Sequence, residues 1–166
     1  TSASLYNKLA ALGPPALLDT LAMMAAGEYK RQPQDNVLAT HAAKLDKADA
    51  ELNWQLPALV LDRKIRAYIP WPVAQFTFNE NANEHRIRVL QASVVTLEHK
   101  QTPGTIISVD KLGILVATHD NALRLETLQL PGKKALAVAD ILNGKADWFT
   151  QGQSINGLTH SQQELT

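Results

Sequence analysis

The 166-residue sequence has no cysteine, so it forms no disulfide and offers no thiolate chemistry. It has no excess of either charge, because 16 basic side chains balance 16 acidic ones. Strong binding to a polyanion therefore requires local clusters of positive charge. No run is apolar enough to predict a membrane span or a signal peptide. The chain begins with Thr1 rather than Met, which indicates a processed chain or a piece of a longer one.

Signatures of several active sites are also missing. The chain has no glycine-rich phosphate loop and no alternation of strands and helices, which excludes a dinucleotide or P-loop site. The five histidines are scattered without an i, i+4 pair, which argues against a metal site. His119-Asp120 falls in a predicted turn, where neighbouring residues rarely orient each other as base and carboxylate. We therefore predict neither a catalytic residue nor a metal ligand.

The composition is that of a globular protein with one core, since 45% of the residues are hydrophobic and 19% are charged. Residues 3–27 predict two helices with leucines at helical spacing, separated at Gly13-Pro14-Pro15 and closed by Gly27. Two short helices bury too little surface to be stable alone. They pack on the rest of the chain, or they have lost a partner, and their leucine stripes also fit a dimer.

The middle of the chain is polar and then helical again. Residues 29–44 lack a clear period and are typical of a linker. Asp46 can cap a short helix of residues 47–51. The next helix is predicted over residues 57–68, with Leu61 and Ile65 on its buried stripe.

From residue 75 onward the hydrophobic period changes to two, which predicts strands. The predicted strands are residues 75–79, 85–96, 105–109, 113–118 and 122–130. The alternation slips at Glu126-Thr127, which predicts a β-bulge. A last helix is predicted over residues 137–143, with Ala137 in place of a good capping residue. The fold class is mainly β with flanking α: a small OB-like antiparallel barrel preceded by a helical segment and a linker.

The stretch IRAYIPWPVAQF joins the middle helix to the first strand. Pro70 and Pro72 force the residues before them out of the α conformation, so the helix ends and the chain turns a corner. Trp71 is expected to bury a large area and to fix the helix end against the sheet. Arg66 is expected to hydrogen-bond loop carbonyls beside this corner. The sequence favours a structural role over ligand stacking and leaves the cis or trans state of both prolines open.

A series of motifs is similar to one enzyme family in order and spacing. The motifs are KLDK at 44–47, Trp54, IRAYIPWP at 65–72, PGT at 103–105, PGKKA at 131–135, DILNG at 140–144 and Trp148-Phe149. Together they resemble the C-terminal part of bacterial methionyl-tRNA formyltransferase. The opening TSASLYNKLAALGP resembles the end of that family's catalytic domain. The resemblance covers the chain to about residue 153.

The family moves a formyl group from 10-formyltetrahydrofolate to the amino group of methionine on initiator tRNA, in the cytoplasm. Its catalytic and folate-binding residues lie in an N-terminal Rossmann-like domain whose motifs do not occur here. The resemblance implies four parts: residues 1–28 as a helical remnant of the catalytic domain, 29–44 as a linker, 45–151 as an OB-like tRNA-binding domain and 152–166 as a flexible tail. It implies no bound cofactor in this chain and no activity of the chain alone.

A tRNA-binding module needs cations that follow phosphates. The candidates are Lys44, Lys47, Arg63, Lys64, Lys133 and Lys134. Arg86 and Arg88, on one face of a predicted strand, are weaker candidates, and each of these charges also fits a solvated surface. A different reading is an OB-like module that binds a protein or an oligosaccharide and has no tRNA role. Exposed aromatic side chains on a strand face would favour that reading, since such sites use stacking platforms.

Overall fold

The computed structural model describes residues 1–80, 83–145 and 147–155, and the chain divides into two compact units, Thr1–Leu45 and Asp46–Thr166. The first unit contains helix α1, Ser2–Ala26. The Thr1 side chain accepts a hydrogen bond from the Ser4 backbone N at 3.1 Å and so caps the start of α1. Gly27 ends α1 in the left-handed conformation, at φ 76°. A short 3₁₀ turn, Asn36–Leu38, follows.

The prediction of two helices separated at Gly13-Pro14-Pro15 is wrong, because α1 runs through both prolines. The φ that proline imposes is compatible with a helix, but each of the two prolines lacks the backbone donor of a helical hydrogen bond. None of the described residues of the first unit is buried. By length and composition alone α1 is also long and apolar enough to cross a membrane, which corrects the expectation that no stretch is.

The second unit begins with a 3₁₀ turn, Ala48–Ala50, and continues into helix α2, Ala58–Ala67. The turn is shorter than the predicted helix of residues 47–51, and Lys47 rather than Asp46 is the residue before it. Asp46 Oδ1 still accepts a hydrogen bond from the Ala48 N at 2.9 Å. The start of α2 is capped by a distant residue, since the Ala58 N donates to Asp120 Oδ1 at 3.1 Å. Burial of the α2 stripe against the sheet is confirmed for Leu61 and Ile65.

A curled, antiparallel half-barrel forms most of the second unit, and this confirms the predicted mainly-β class. Its strands are β1 (Gln75–Glu80), β2 (Asn83–Val95), β3 (Ile106–Asp110), β4 (Gly113–Ala117), β5 (Ala122–Gln129) and β6 (Ala135–Ala137). The strand order is β1-β2-β5-β4-β3. Strand β6 pairs with residues 127–129 of β5, beyond the residues of β5 that pair with β4. Helix α3, Val138–Lys145, follows β6 directly.

The bulge predicted at Glu126-Thr127 is confirmed. Between β2 and β5 the pairing moves from Val89↔Leu128 to Gln91↔Thr127 and then to Ala92↔Leu125, with a register shift at each step. A shift of this kind bends the strand pair and increases its twist. It therefore contributes to the curl of the sheet.

The strands alternate between a core face and a polar face. Phe76 and Ile87 are paired across β1 and β2 and are fully buried. Their neighbours on the other face are polar, as the pair Thr77↔Arg86 illustrates. Gln75, Arg88 and Gln129 continue this polar face across β1, β2 and β5, since Gln75 pairs with Arg88 and Arg88 pairs with Gln129.

The chain after α3 returns to the sheet. The Ile106 N donates to the Gln153 O at 2.8 Å, and the Ile155 N donates to the Gly104 O at 2.9 Å. The side chain of Ile155 is buried in the core. Residues 152–155, which were predicted to belong to the flexible tail, thus pair with the segment 104–106. The rest of that tail, residues 156–166, lies outside the described residues.

Candidate functional site

A groove with a volume of about 1380 Å³ runs along the polar face of β1, β2 and β5 in the second unit. The segment 47–55, the corner 71–73 and the loop 130–133 contribute the rest of its lining. These segments lie together because β1 follows the corner and the loop follows β5. The Leu52 N donates to the Gln75 O at 2.8 Å, which ties the segment before α2 to the same edge of the sheet.

The groove carries more positive than negative side chains. Its cations are Lys47, Arg86, Arg88 and Lys133, and its carboxylates are Glu51 and Glu84. Both oxygens of Glu51 accept hydrogen bonds from the sheet, from Thr77 Oγ1 at 3.1 Å and Gln75 Nε2 at 3.4 Å. Arg86 Nε lies 3.7 Å from Glu84 Oε1, in a pair that is open to solvent. A chain with zero net charge therefore has a local surplus of positive charge here.

Gln129 links two of these cationic positions. Arg88 Nη1 donates to Gln129 Oε1 at 3.3 Å, and Gln129 Nε2 donates to the Lys133 carbonyl at 3.0 Å. One amide thus holds the Arg88 guanidinium on its acceptor side and the backbone of the Lys133 loop on its donor side. This arrangement restrains the guanidinium and the loop before any ligand binds.

The position of Trp71 differs from the expectation. Its side chain is 51% exposed and borders the groove, so the predicted burial against the sheet is wrong. Ile69 packs against the core in its place. The corner closes on itself, because the Val73 N donates to the Tyr68 O at 2.9 Å. Both the Ile69–Pro70 and the Trp71–Pro72 peptide bonds are cis.

Two cations of α2, Lys64 and Arg66, are engaged elsewhere. Lys64 Nζ donates to the Glu51 carbonyl at 2.7 Å and lies 5.6 Å from the centre of the Tyr68 ring. Burial lowers the pKa of Lys64, and the nearby carboxylates of Asp49 and Glu51 oppose this shift. Arg66 donates to Asp62 at 2.9 and 3.0 Å, so its expected hydrogen bonds to loop carbonyls are replaced by an i, i+4 ion pair.

The structure therefore brings together only part of the predicted set. Lys47 and Lys133 line the groove, together with the weaker candidates Arg86 and Arg88. Among the residues described in the second unit, Arg63, Lys64 and Lys134 stand outside the groove lining. Lys44 is exposed in the first unit.

Residues 44–146 match the family described as formyl transferase, C-terminal domain. The matched span is well over half of the chain. The chain belongs to this family. It is 61% identical over 163 residues to the methionyl-tRNA formyltransferase of Colwellia psychrerythraea. The aligned region covers 95% of this chain and 50% of that relative. The chain thus spans about half the length of the relative it matches.

The fold of this formyl transferase C-terminal domain also occurs in HypX from Aquifex aeolicus. A crystal structure of HypX with tetrahydrofolic acid matches 78% of this chain and 22% of HypX at a TM-score of 0.52 and 20% identity. A variant of HypX with several substitutions matches 81% of this chain and 23% of its own at a TM-score of 0.54 and 19% identity. At this level of identity the likeness extends to the fold alone.

Sequence reasoning missed three features of the groove: the exposure of Trp71, the bridging role of Gln129 and the anchoring of Glu51 by Gln75 and Thr77. The alternation of Arg86 and Arg88 was a usable signal, because it places both on one strand face. The Gln129 bridge depends on the register between β2 and β5, which no local pattern reports. Within residues 1–80, 83–145 and 147–155, no group of metal-binding side chains is found.

Proposed function

We propose that this formyl transferase C-terminal domain binds initiator methionyl-tRNA, in the cytoplasm, for the formylation that precedes translation initiation. The groove along the polar face of β1, β2 and β5 carries the proposal, since Lys47, Arg88 and Lys133 meet there. The name of the Colwellia relative, methionyl-tRNA formyltransferase, supports tRNA as the ligand.

The physical argument for a phosphate-binding groove is its charge and its order. Arg86 and Arg88 are two residues apart on one strand face, which separates them by about 7 Å. The Gln129 bridge restrains the Arg88 guanidinium and the backbone of the Lys133 loop, which lowers the entropy that these two groups lose on binding. Contacts of this kind fix the register of a nucleic acid without reading its sequence. We therefore assign positioning of the tRNA to this groove.

We propose in addition that formyl transfer itself takes place outside this chain, on a partner domain that binds 10-formyltetrahydrofolate. The groove offers cations and hydrogen-bonded amides, which suit the binding of a polyanion. Incubation of the chain with the folate donor and methionyl-tRNA is expected to give no formyl-methionyl product. Measurable turnover would overturn this part of the proposal.

The binding proposal is tested by titrating the 166-residue chain with fluorescently labelled initiator tRNA at about 50 and about 200 mM salt. Lys47→Gln, Arg88→Gln and Lys133→Gln are each expected to weaken binding and to reduce the salt slope by about one. Lys100→Gln is the matched control, because Lys100 is exposed and stands apart from the described groove lining. Salt-independent affinity, or an equal loss in the control, would contradict the proposal.

Two earlier expectations stay predictions. Pairing of two chains through the exposed leucines of α1, such as Leu12 and Leu18, is measured by light scattering across a concentration series. If the titration shows no affinity for tRNA, the alternative is that the second unit binds a protein or an oligosaccharide and has no tRNA role.

A further inference from the structure

We propose that Trp71 is a stacking platform for an unpaired nucleobase, so that the groove holds a single-stranded stretch of RNA beside its cations. This inference rests on the proposed function, since it specifies which part of an RNA ligand the groove recognises. The ligand class is a short unpaired segment, with one base on the indole ring and its phosphates on the neighbouring arginines and lysines.

Trp71 differs from the two other tryptophans of the chain in its exposure. Trp54 is 3% exposed and packs edge to face on Phe76, with ring centres 6.0 Å apart. Trp148 is 8% exposed, and Lys145 Nζ lies 3.6 Å from the centre of its ring. Trp71 is 51% exposed at the border of the groove. Of the three tryptophans, Trp71 is therefore the one whose aromatic face is open to a ligand of the groove.

The backbone around Trp71 is restrained. Proline rings on either side fix φ at positions 70 and 72. The hydrogen bond from the Val73 N to the Tyr68 O closes the corner. Val73 adopts a φ of 66°, which is rare for a β-branched residue and is the kind of backbone outlier that clusters at ligand sites. The indole is therefore presented from a rigid corner, which lowers the entropy lost when a ligand stacks on it.

The surroundings of Trp71 suit a nucleotide. Sites for single strands combine a cationic groove that follows the backbone with aromatic faces on which bases stack. Here the corner supplies the aromatic face, and Arg86, Arg88 and Lys133 supply the cations of the same groove. Bases inside a duplex are covered by their neighbours on both faces, so an unpaired base is better able to stack on the Trp71 ring. Because the net charge is zero, stacking also supplies affinity that long-range attraction does not.

The test compares two RNA hairpins with the same stem, one blunt and one with an overhang of about four unpaired nucleotides, within the span of a single-strand binding site. The unmodified chain is expected to bind the overhang hairpin more tightly. Trp71→Ala is expected to weaken that binding by about fivefold or more, a clearly larger loss than it causes for the blunt hairpin. Trp71→Phe keeps an aromatic face and is expected to restore most of the difference.

Leu112→Ala is the matched control, since Leu112 is an exposed apolar residue that stands apart from the described groove lining. Far-ultraviolet circular dichroism verifies that each variant is folded. Equal binding of both hairpins, or equal losses in Trp71→Ala and Leu112→Ala, would overturn the stacking role. If the salt-dependent effect of Lys133→Gln persists in that case, the proposed tRNA-binding function still stands. Absence of any RNA binding would overturn the proposed function together with this inference.

Discussion

Replacement of Gly113 by alanine is expected to destabilise the second unit strongly. Gly113 opens β4 at a φ of 148° and pairs with Asp110 in the hairpin from β3. A Cβ atom at this position would lie 2.4 Å from the Leu125 carbonyl O and 2.9 Å from Arg124 Cγ. The carbonyl belongs to β5, which is paired with both β2 and β4 and has little freedom to move.

The expected cost has two parts. A side chain at this φ costs about 1–3 kcal/mol in backbone strain. Insertion of a methyl group into a packed site costs about 1–3 kcal/mol more. Gly113→Ala is therefore expected to lower the free energy of unfolding by about 2–6 kcal/mol. The measurement is urea denaturation followed by the fluorescence of the two buried tryptophans, Trp54 and Trp148.

Gly144→Ala is the control for this experiment. Gly144 lies in α3, and among the described residues no side chain or other segment beyond its chain neighbours comes within 4 Å of the added Cβ. Because alanine is the better helix former, this substitution is expected to stabilise the protein by up to about 1 kcal/mol. A Gly113→Ala variant within about 0.5 kcal/mol of the unmodified chain would refute the close approach of β4 and β5 described above.

Asp120→Ala is expected to lower the free energy of unfolding by about 1 kcal/mol, because Asp120 caps α2 at the Ala58 N. The same hydrogen bond holds the pKa of Asp120 below its ordinary value of 3.8. The stability that ionised Asp120 contributes is therefore present above pH 3.8 and is lost as the pH falls through the lowered pKa. Acid titrations of the unmodified chain and of Asp120→Ala measure the difference. Lys64→Gln is expected to keep tRNA affinity within about twofold and to lower the melting temperature, since Lys64 bonds the Glu51 carbonyl; an affinity loss equal to that of a groove lysine would contradict this. Ile155→Ala is expected to cost about 2–5 kcal/mol in urea denaturation, and a negligible change would mean that this end of the chain does not stabilise the core.

The strands and α2 could be predicted because their signals are local. Alternation at period two locates β1 and β5, and the slip at Glu126-Thr127 locates the bulge. Strand β6 was missed, since its three residues, Ala135–Ala137, all have exposed side chains and show no alternation. The continuity of α1 was also missed. Proline destabilises the interior of a helix but does not always end it, and α1 contains both Pro14 and Pro15.

The candidate site was predictable only in outline. The lysines of the loops and the arginines of β2 can be read from the sequence, but which of them meet depends on strand register. Lys64 and Lys133 look alike in sequence, yet Lys64 bonds the Glu51 carbonyl while Lys133 stays exposed at the groove. Trp71 and Trp54 show the same limit. Both are large aromatic residues near prolines, and tertiary packing alone decides that Trp54 is the buried one.

The hydrophobic core described for the second unit consists entirely of residues between Leu52 and Ile155. A unit whose core is formed by its own residues can in principle fold independently of the domain beside it. HypX, of which the matched region forms 22%, shows the same fold within a longer chain.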